Sequence, residues 1–419
     1  MKRALFVAVA TLVAIVASLQ VAAAAPQRGT AATETGISKN AIVIGGTFPL
    51  SGPASLYAPI PRGMAAYFAY VNSRKSAVDR KRGVYGRQIV WKVYDDGYNP
   101  AQTVQLTNQL ILQDKVFAVV GSLGTEHNQA IRPILNSRKV PHILVSTGAS
   151  FWGSQFKQYP WTIGWQPDYV AEGKVYGQYI AKNAPNAKIA VFVQNDDYGK
   201  DYLKGVKAGL GAKASLIVSE QTYEVTDTSY GSQIARQKAS GADTWVLLTT
   251  PTPTVRAIGT AKALNWKPDT IVINSVSATD GVMRAASQSA GADFVNGAIS
   301  TAYLKNPTNP KYASDPAVKK YKALMDKFAP SANANDTFYY YGFAKAYDTV
   351  RLLYLAGKNP TRASLMRAVG RMNWRNPFAI KGVVSKTGKT DHFPLSQIKI
   401  VRYENSSFNE ISPLFQGRK

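Results

Sequence analysis

The chain has 419 residues, 45% of them hydrophobic and 18% charged, with 50 Lys and Arg against 25 Asp and Glu and no cysteine. That length suits two domains with cores of their own, and the missing cysteine excludes disulfides, thiolate metal sites, cysteine nucleophiles and the lipid-accepting cysteine of a lipoprotein. The formal charge of +25 comes from basic residues scattered along the chain, which describes a lysine-rich surface able to speed encounter with anionic small molecules or envelope surfaces rather than a nucleic-acid site.

In chain order, Lys2 and Arg3 precede a largely apolar run over 4–17, and Ala22-Ala23-Ala24-Ala25 supplies a small-residue cleavage site, so residues 1–25 are expected to be a secretory signal peptide. Pro26 moves the expected cut slightly upstream. The run is shorter than a membrane span and no later segment approaches twenty apolar residues. A soluble periplasmic chain without a lipid anchor is expected, at +23 once Lys2 and Arg3 are removed from the +25. Residues 26–38, polar and small, make a linker. Strands are then predicted over 41–48, 87–94, 116–120 and 142–145, with helices over 61–71, 100–114 and between the last two strands. A second series follows, with helix 166–182, strand 188–194, helix 199–210, strand 215–219, helix 230–241, strand 243–248, helix 252–263, strand 270–274, helix 279–288 and strand 298–303. Helices over 319–328, 337–356 and 361–371 and a late strand over 397–402 complete the chain.

Strands alternating with helices of ten or more residues predict parallel sheets covered on both faces. The fold class is therefore α/β, with two Rossmann-like lobes: 39–160 with 305–390, and 161–304 with 391–419. Within the first, the stretch 116–151 is the most informative. Both of its strands are buried-type apolar runs that end in hydroxyl-rich turns, Gly121-Ser122-Leu123-Gly124-Thr125 and Ser146-Thr147-Gly148-Ala149-Ser150. Neighbouring parallel strands bring such turns together at their carboxyl ends, the usual ligand crevice of an open α/β sheet, where helix amino termini offer N–H groups to an anion.

Seven segments, taken in series, carry a resemblance: Pro49-Leu50-Ser51-Gly52, Gly83-Val84-Tyr85-Gly86, Tyr94-Asp95-Asp96 with Asn99-Pro100, Val119-Val120-Gly121, Ser146-Thr147-Gly148-Ala149 and Asp196-Asp197-Tyr198-Gly199. Together they resemble the type I periplasmic binding proteins, in particular the branched-chain amino-acid (leucine/isoleucine/valine-binding) family of ABC transporter receptors. The resemblance implies two lobes joined by a three-crossing hinge, near 160–166, 301–304 and 388–394, that closes on a small carboxylate. It also implies no cofactor, a monomer, and an inner-membrane permease and ATPase complex as partners. Carried over position by position, Leu123 and Thr125, then Gly148 and Ser150, fall in the loops that hold the carboxylate, and Tyr57 on the aromatic that covers the ligand. Tyr198 and Thr250 fall at strand ends of the second lobe.

One segment departs from the family. Where the family has a Glu that pairs with the amino-acid ammonium, this chain has Asn274-Ser275-Val276-Ser277. Burying an ammonium without a carboxylate costs several kcal/mol. Phe151, Trp152 and Trp165 lie close in sequence to the cleft loop and the first crossing, so an apolar or aromatic acid is expected beside the branched-chain amino acids, with Ser275 and Ser277 meeting its far end. The alternative is a ligand-sensing module of the same fold that reports to a regulator. Catalysis is not expected. The chain has three histidines, His127, His142 and His392, and no metal-ligand spacing, nucleophile elbow, P-loop or dinucleotide fingerprint.

Overall fold

The computed structural model describes residues 34–416; the expected signal peptide and most of the expected linker lie outside the described residues. The first sheet has five strands, β1 (Ala41–Phe48), β2 (Gln88–Asp95), β3 (Ala118–Val120), β4 (His142–Val145) and β5 (Thr162–Gly164). They run in the order β2-β1-β3-β4-β5, all parallel. Parallel order requires crossovers, and these are helices α1 (Pro59–Ser73), α2 (Pro100–Leu112) and α3 (Thr125–Ser137), with a single turn, α4 (Phe151–Ser154), before β5. β3 and β4 are buried throughout, as covered parallel strands should be. Asn99 caps α2 by accepting from the N–H groups of Ala101 and Gln102.

The second sheet begins after α5 (Tyr169–Asn183). Strands β6 (Ile189–Gln194), β7 (Ile217–Tyr223), β8 (Thr244–Leu248), β9 (Thr270–Ile273) and β10 (Ile299–Ala302) are parallel in the order β7-β6-β8-β9-β10. Helices α6 (Asp197–Leu210), α7 (Gly231–Ala239), α8 (Pro251–Ala263), α9 (Asp280–Ala290) and the short α10 (Ala292–Val295) connect them. Beyond β10 the chain forms α11 (Pro316–Phe328), α12 (Thr337–Leu355), α13 (Arg362–Val369) and a hairpin of β11 (Asn373–Trp374) and β12 (Ser385–Lys386). It then adds β13 (Gln397–Glu404), antiparallel, to β10, with β14 (Ser407–Glu410) and β15 (Phe415–Gln416) paired on β13. No described helix is long and apolar enough to cross a membrane.

The strand expected over 215–219 instead runs from Ile217 to Tyr223, because 211–216 forms a 3-10 turn. β7 is the edge of its sheet and alternates exposed and half-buried residues, so its polar half, Ser219 to Thr222, lacks the apolar run that marks a covered strand.

The chain passes between the sheets three times, after β5, after β10 and between β12 and β13. One buried carboxylate joins two of these passages. Asp348 on α12 accepts from the indole N–H of Trp165 and of Trp374 (both 2.8 Å), from Asn376 Nδ2 (3.0 Å) and from Ser385 Oγ (2.9 Å). Trp165, expected near the ligand, is thus held in the hinge.

His142, at the start of β4, is wholly buried, with Nε2 2.8 Å from Asn128 Oδ1 and Nδ1 3.4 Å from Thr162 Oγ1. Burial pushes its pKa from 6.5 down to about 3. The folded pKa lies below the unfolded one, so the unfolded chain binds the proton first. This contribution to stability is complete above about pH 6.5 and is lost as pH falls toward 3. Calorimetric melting between pH 7 and 4 is therefore expected to show a shallower acid loss in His142→Gln than in the wild type; parallel curves would refute it.

Candidate functional site

The site grows from the carboxyl ends of β1, β3 and β4. After β3, Gly121 (φ 70°) and Gly124 (φ 104°) adopt left-handed backbone that favours glycine, and the turn they shape puts Thr125 at the first position of α3. Leu123 bridges in parallel to Ser146 of the turn after β4. The two turns meet where Thr125 Oγ1 and Thr147 Oγ1 share a hydrogen bond of 2.6 Å. After β1, a 3-10 turn over Ser55–Tyr57 carries the buried Tyr57, whose hydroxyl donates to the Val276 carbonyl of the other lobe at 3.3 Å.

From the second lobe, Asp196 caps α6 by accepting from Gly199 N–H at 3.0 Å, and the ring of Tyr198 follows one residue into the helix, its hydroxyl bonded by Asn274 Nδ2. Thr250 immediately precedes α8, and Ser275 follows β9. These residues and the start of α12 enclose a cavity of about 110 Å³, measured for the centre of a water-sized sphere. Six tyrosines face it, Tyr57, Tyr98, Tyr169, Tyr198, Tyr303 and Tyr341, and no charged side chain among the described residues lines it. Burial raises the pKa of every one of these phenols, so all six are neutral and can donate.

Of the residues singled out in the sequence, Tyr57, Leu123, Thr125, Tyr198, Thr250 and Ser275 line this cavity. The other five lie elsewhere. Gly148 turns its Cα toward the Pro167 carbonyl, only 2.1 Å from where a Cβ would stand, and its own carbonyl accepts from Tyr169 N–H, so it positions Tyr169. Ser150 reaches across the lobes, its N–H and Oγ bonding the Asp201 carboxylate at 2.7 and 3.2 Å. Phe151 packs on Trp152 and under the Arg132 guanidinium, 4.9 Å from the ring centre. Trp165 is engaged by Asp348, and Ser277 Oγ donates to the Thr249 carbonyl.

A carboxylate does stand behind Ser275, although none occurs in 274–277. Glu172, on α5 and 1% exposed, accepts from Ser275 N–H and Oγ (both 2.9 Å) and from Tyr176 Oη (2.5 Å). Its distance in sequence, 103 residues from Ser275, kept it from notice. Tyr98, Tyr169 and Tyr341 were missed for a similar reason. Tyr98 follows the Asp95-Asp96 strand end that the sequence does mark, whereas Tyr341 arrives on a helix that returns from the other end of the chain.

The family described as "periplasmic binding protein" matches residues 41–407. The chain belongs to that family. Among individual binding proteins, it is 24% identical to Leu/Ile/Val-binding protein homolog 3 of Brucella melitensis over 48% of this chain and 52% of that protein. The chain spans about half the length of the curated relatives it matches. Among solved binding proteins, a branched-chain amino acid ABC transporter from Thermus thermophilus with bound valine superposes with TM-score 0.76 at 17% identity, covering 91% of this chain and 97% of that one. A solute-binding protein of an ABC transporter from R. palustris, in complex with 4-hydroxybenzoate, superposes with TM-score 0.72 at 20% identity, covering 90% and 97%. At such identities the likeness is one of fold: two α/β lobes with parallel-rich sheets.

Proposed function

We propose that this periplasmic binding protein captures a small carboxylate with an apolar or aromatic body between its lobes, in the periplasm, and hands it to the permease and ATPase complex of an ABC importer. The observation that carries this reading is the cavity shared by both lobes, walled by tyrosines and hydroxyls and free of charged side chains. At its first-lobe end, Thr125, Thr147 and Tyr169 are neutral donors of the kind that bind a carboxylate reversibly. The rings of Tyr57, Tyr98 and Tyr198 suit a flat or apolar body, and Thr250 and Ser275 suit a hydroxyl or carbonyl at the far end. A second reading, a branched-chain amino acid, is favoured by Glu172, whose carboxylate stands one hydrogen bond behind Ser275. Against it, both Glu172 oxygens already accept bonds, and the residue does not line the cavity.

Thermal-shift screening followed by calorimetry separates the two. Benzoate, 4-hydroxybenzoate and phenylpropenoid acids are expected to raise the melting temperature more than leucine or valine. Tight leucine or valine binding with no response to the aromatic acids would replace the first reading with the second.

A further inference from the structure

Behind the uncharged wall lies a buried lysine. Lys345 on α12 is 0% exposed, and no ion pair joins it to a carboxylate among the described residues. Its ammonium donates to Ser146 Oγ and, at 3.1 Å, to Tyr341 Oη, and it lies 5.0 Å from the ring centre of Trp165 and 4.6 Å from that of Tyr341. The nearest acid on the same helix, Asp348, is occupied by four other donors. Burial lowers the pKa of Lys345 well below that of an ordinary lysine; ring faces and hydroxyls partly compensate the loss of water, and an anion in the cavity favours the protonated, charged form.

Two branches leave this ammonium: one ends at once, with Ser146 Oγ donating to the Gly121 carbonyl at 2.6 Å, and the other runs on from Tyr341. Tyr341 O–H donates to Gln166 Oε1 at 2.8 Å, and Gln166 Nε2 donates to Tyr169 Oη at 2.8 Å. The Tyr169 phenol is within hydrogen-bonding reach of Thr147, which is bonded to Thr125. Each donor is polarised by the one behind it, so a chain that starts at a cation ends in strengthened donors. Here that end is the corner where the turns after β3 and β4 meet.

We propose that Lys345 is a positioning residue that makes the cavity selective for an anion, delivering its charge to the wall through Tyr341, Gln166 and Tyr169 rather than by touching the ligand. The inference rests on the carboxylate reading above and goes further, assigning the charge that an uncharged wall lacks.

The test compares an acid with its neutral amide. Calorimetry on the wild type, Lys345→Met and Tyr341→Phe uses 4-hydroxybenzoate against 4-hydroxybenzamide, with leucine and leucinamide beside them. The wild type is expected to prefer the acid at least tenfold. Lys345→Met should abolish that preference, leave amide affinity within twofold, and melt no lower than wild type without ligand, because removing an uncompensated buried charge is neutral or stabilising. Tyr341→Phe cuts the first link, keeps the lysine, and should lose the same preference; it decides the matter if Lys345→Met does not fold. An unchanged preference in both variants, or equal losses for acid and amide, overturns the inference and leaves the carboxylate reading standing. A wild type that binds neither acid, or binds acid and amide alike, overturns both.

Discussion

Replacing Thr125 and Thr147 together by valine should weaken binding of 4-hydroxybenzoate, or of whichever acid responds most strongly, by at least about tenfold while leaving the ligand-free protein folded. A hydroxyl that donates to an ionised group contributes roughly 1.5 to 3 kcal/mol; one proton of the pair is held in their mutual bond, so losing the donor left for the ligand corresponds to about one power of ten or more in Kd. Valine has the shape of threonine. The two hydroxyls bond each other at 2.6 Å, so removing both breaks that bond without stranding either of its ends; what is abandoned is the longer bond from Ala149 N–H to Thr147 Oγ1 (3.3 Å) and the reach of Tyr169, a modest cost to stability. The single variants strand one hydroxyl and should destabilise more per atom removed. Calorimetry and a ligand-free melting curve, taken together, check both statements. Wild-type affinity in the double variant would remove the two turns from the ligand's carboxylate.

A larger effect on stability is expected at the crossing of α5 and α6. Four glycines form this contact. A Cβ on Gly205 would lie 2.3 Å from the Val170 carbonyl oxygen, and one on Gly209 2.1 Å from that of Lys174. From the other side, Gly173 would meet the Tyr202 carbonyl at 2.4 Å and Gly177 the Val206 carbonyl at 2.2 Å. All four obstacles are backbone atoms of the facing helix, which no rotamer change can move aside. Gly205→Val must push the helices apart and should cost about 3 kcal/mol or more, the upper range for overpacking. Since α5 carries Tyr169 and Glu172 and α6 carries Tyr198, the cavity wall moves with them, and binding should fall alongside stability. Gly231→Ala is the control: nothing lies within 4 Å of its Cβ position and its φ is not left-handed, so it should be neutral or slightly stabilising. Equal melting temperatures for the two variants would contradict this account of the crossing.

The sequence made legible whatever is local. Apolar runs ending in Gly and hydroxyl turns disclosed β3, β4 and the corner at Thr125, and alternating elements disclosed both parallel sheets. The family resemblance also pointed to Tyr57, Tyr198 and Thr250, and the departure from it to Ser275, all of which line the cavity. Residues whose position depends on a distant partner stayed hidden. Trp165 looked like an aromatic wall because it is near Phe151 in sequence, but it is drawn into the hinge by Asp348, 183 residues away. Ser150 looked like a carboxylate ligand, but its donors are taken by Asp201 of the other lobe. The same limit applied to Glu172 and Lys345, whose roles behind the wall depend on Ser275 and Tyr341 being brought to them. Pieces of two to four residues, such as β11, β12, β15 and α4, are too short for periodicity to register.

The bridge between Ser150 and Asp201 bears on how long a ligand stays. Burial raises the pKa of the Asp201 carboxyl, so where the lobes meet this anion is stripped of water, and in return it gains two bonds from a single residue. The direction of the shift says that desolvation outweighs the two Ser150 bonds for the charged form, so the net contribution of the contact is small. A contact of that kind sets the register in which the lobes meet without holding them shut. On the function proposed above, the lifetime of a closed, loaded form would follow the occupant of the cavity, and a transporter drawing the lobes apart would meet no strong lock before release.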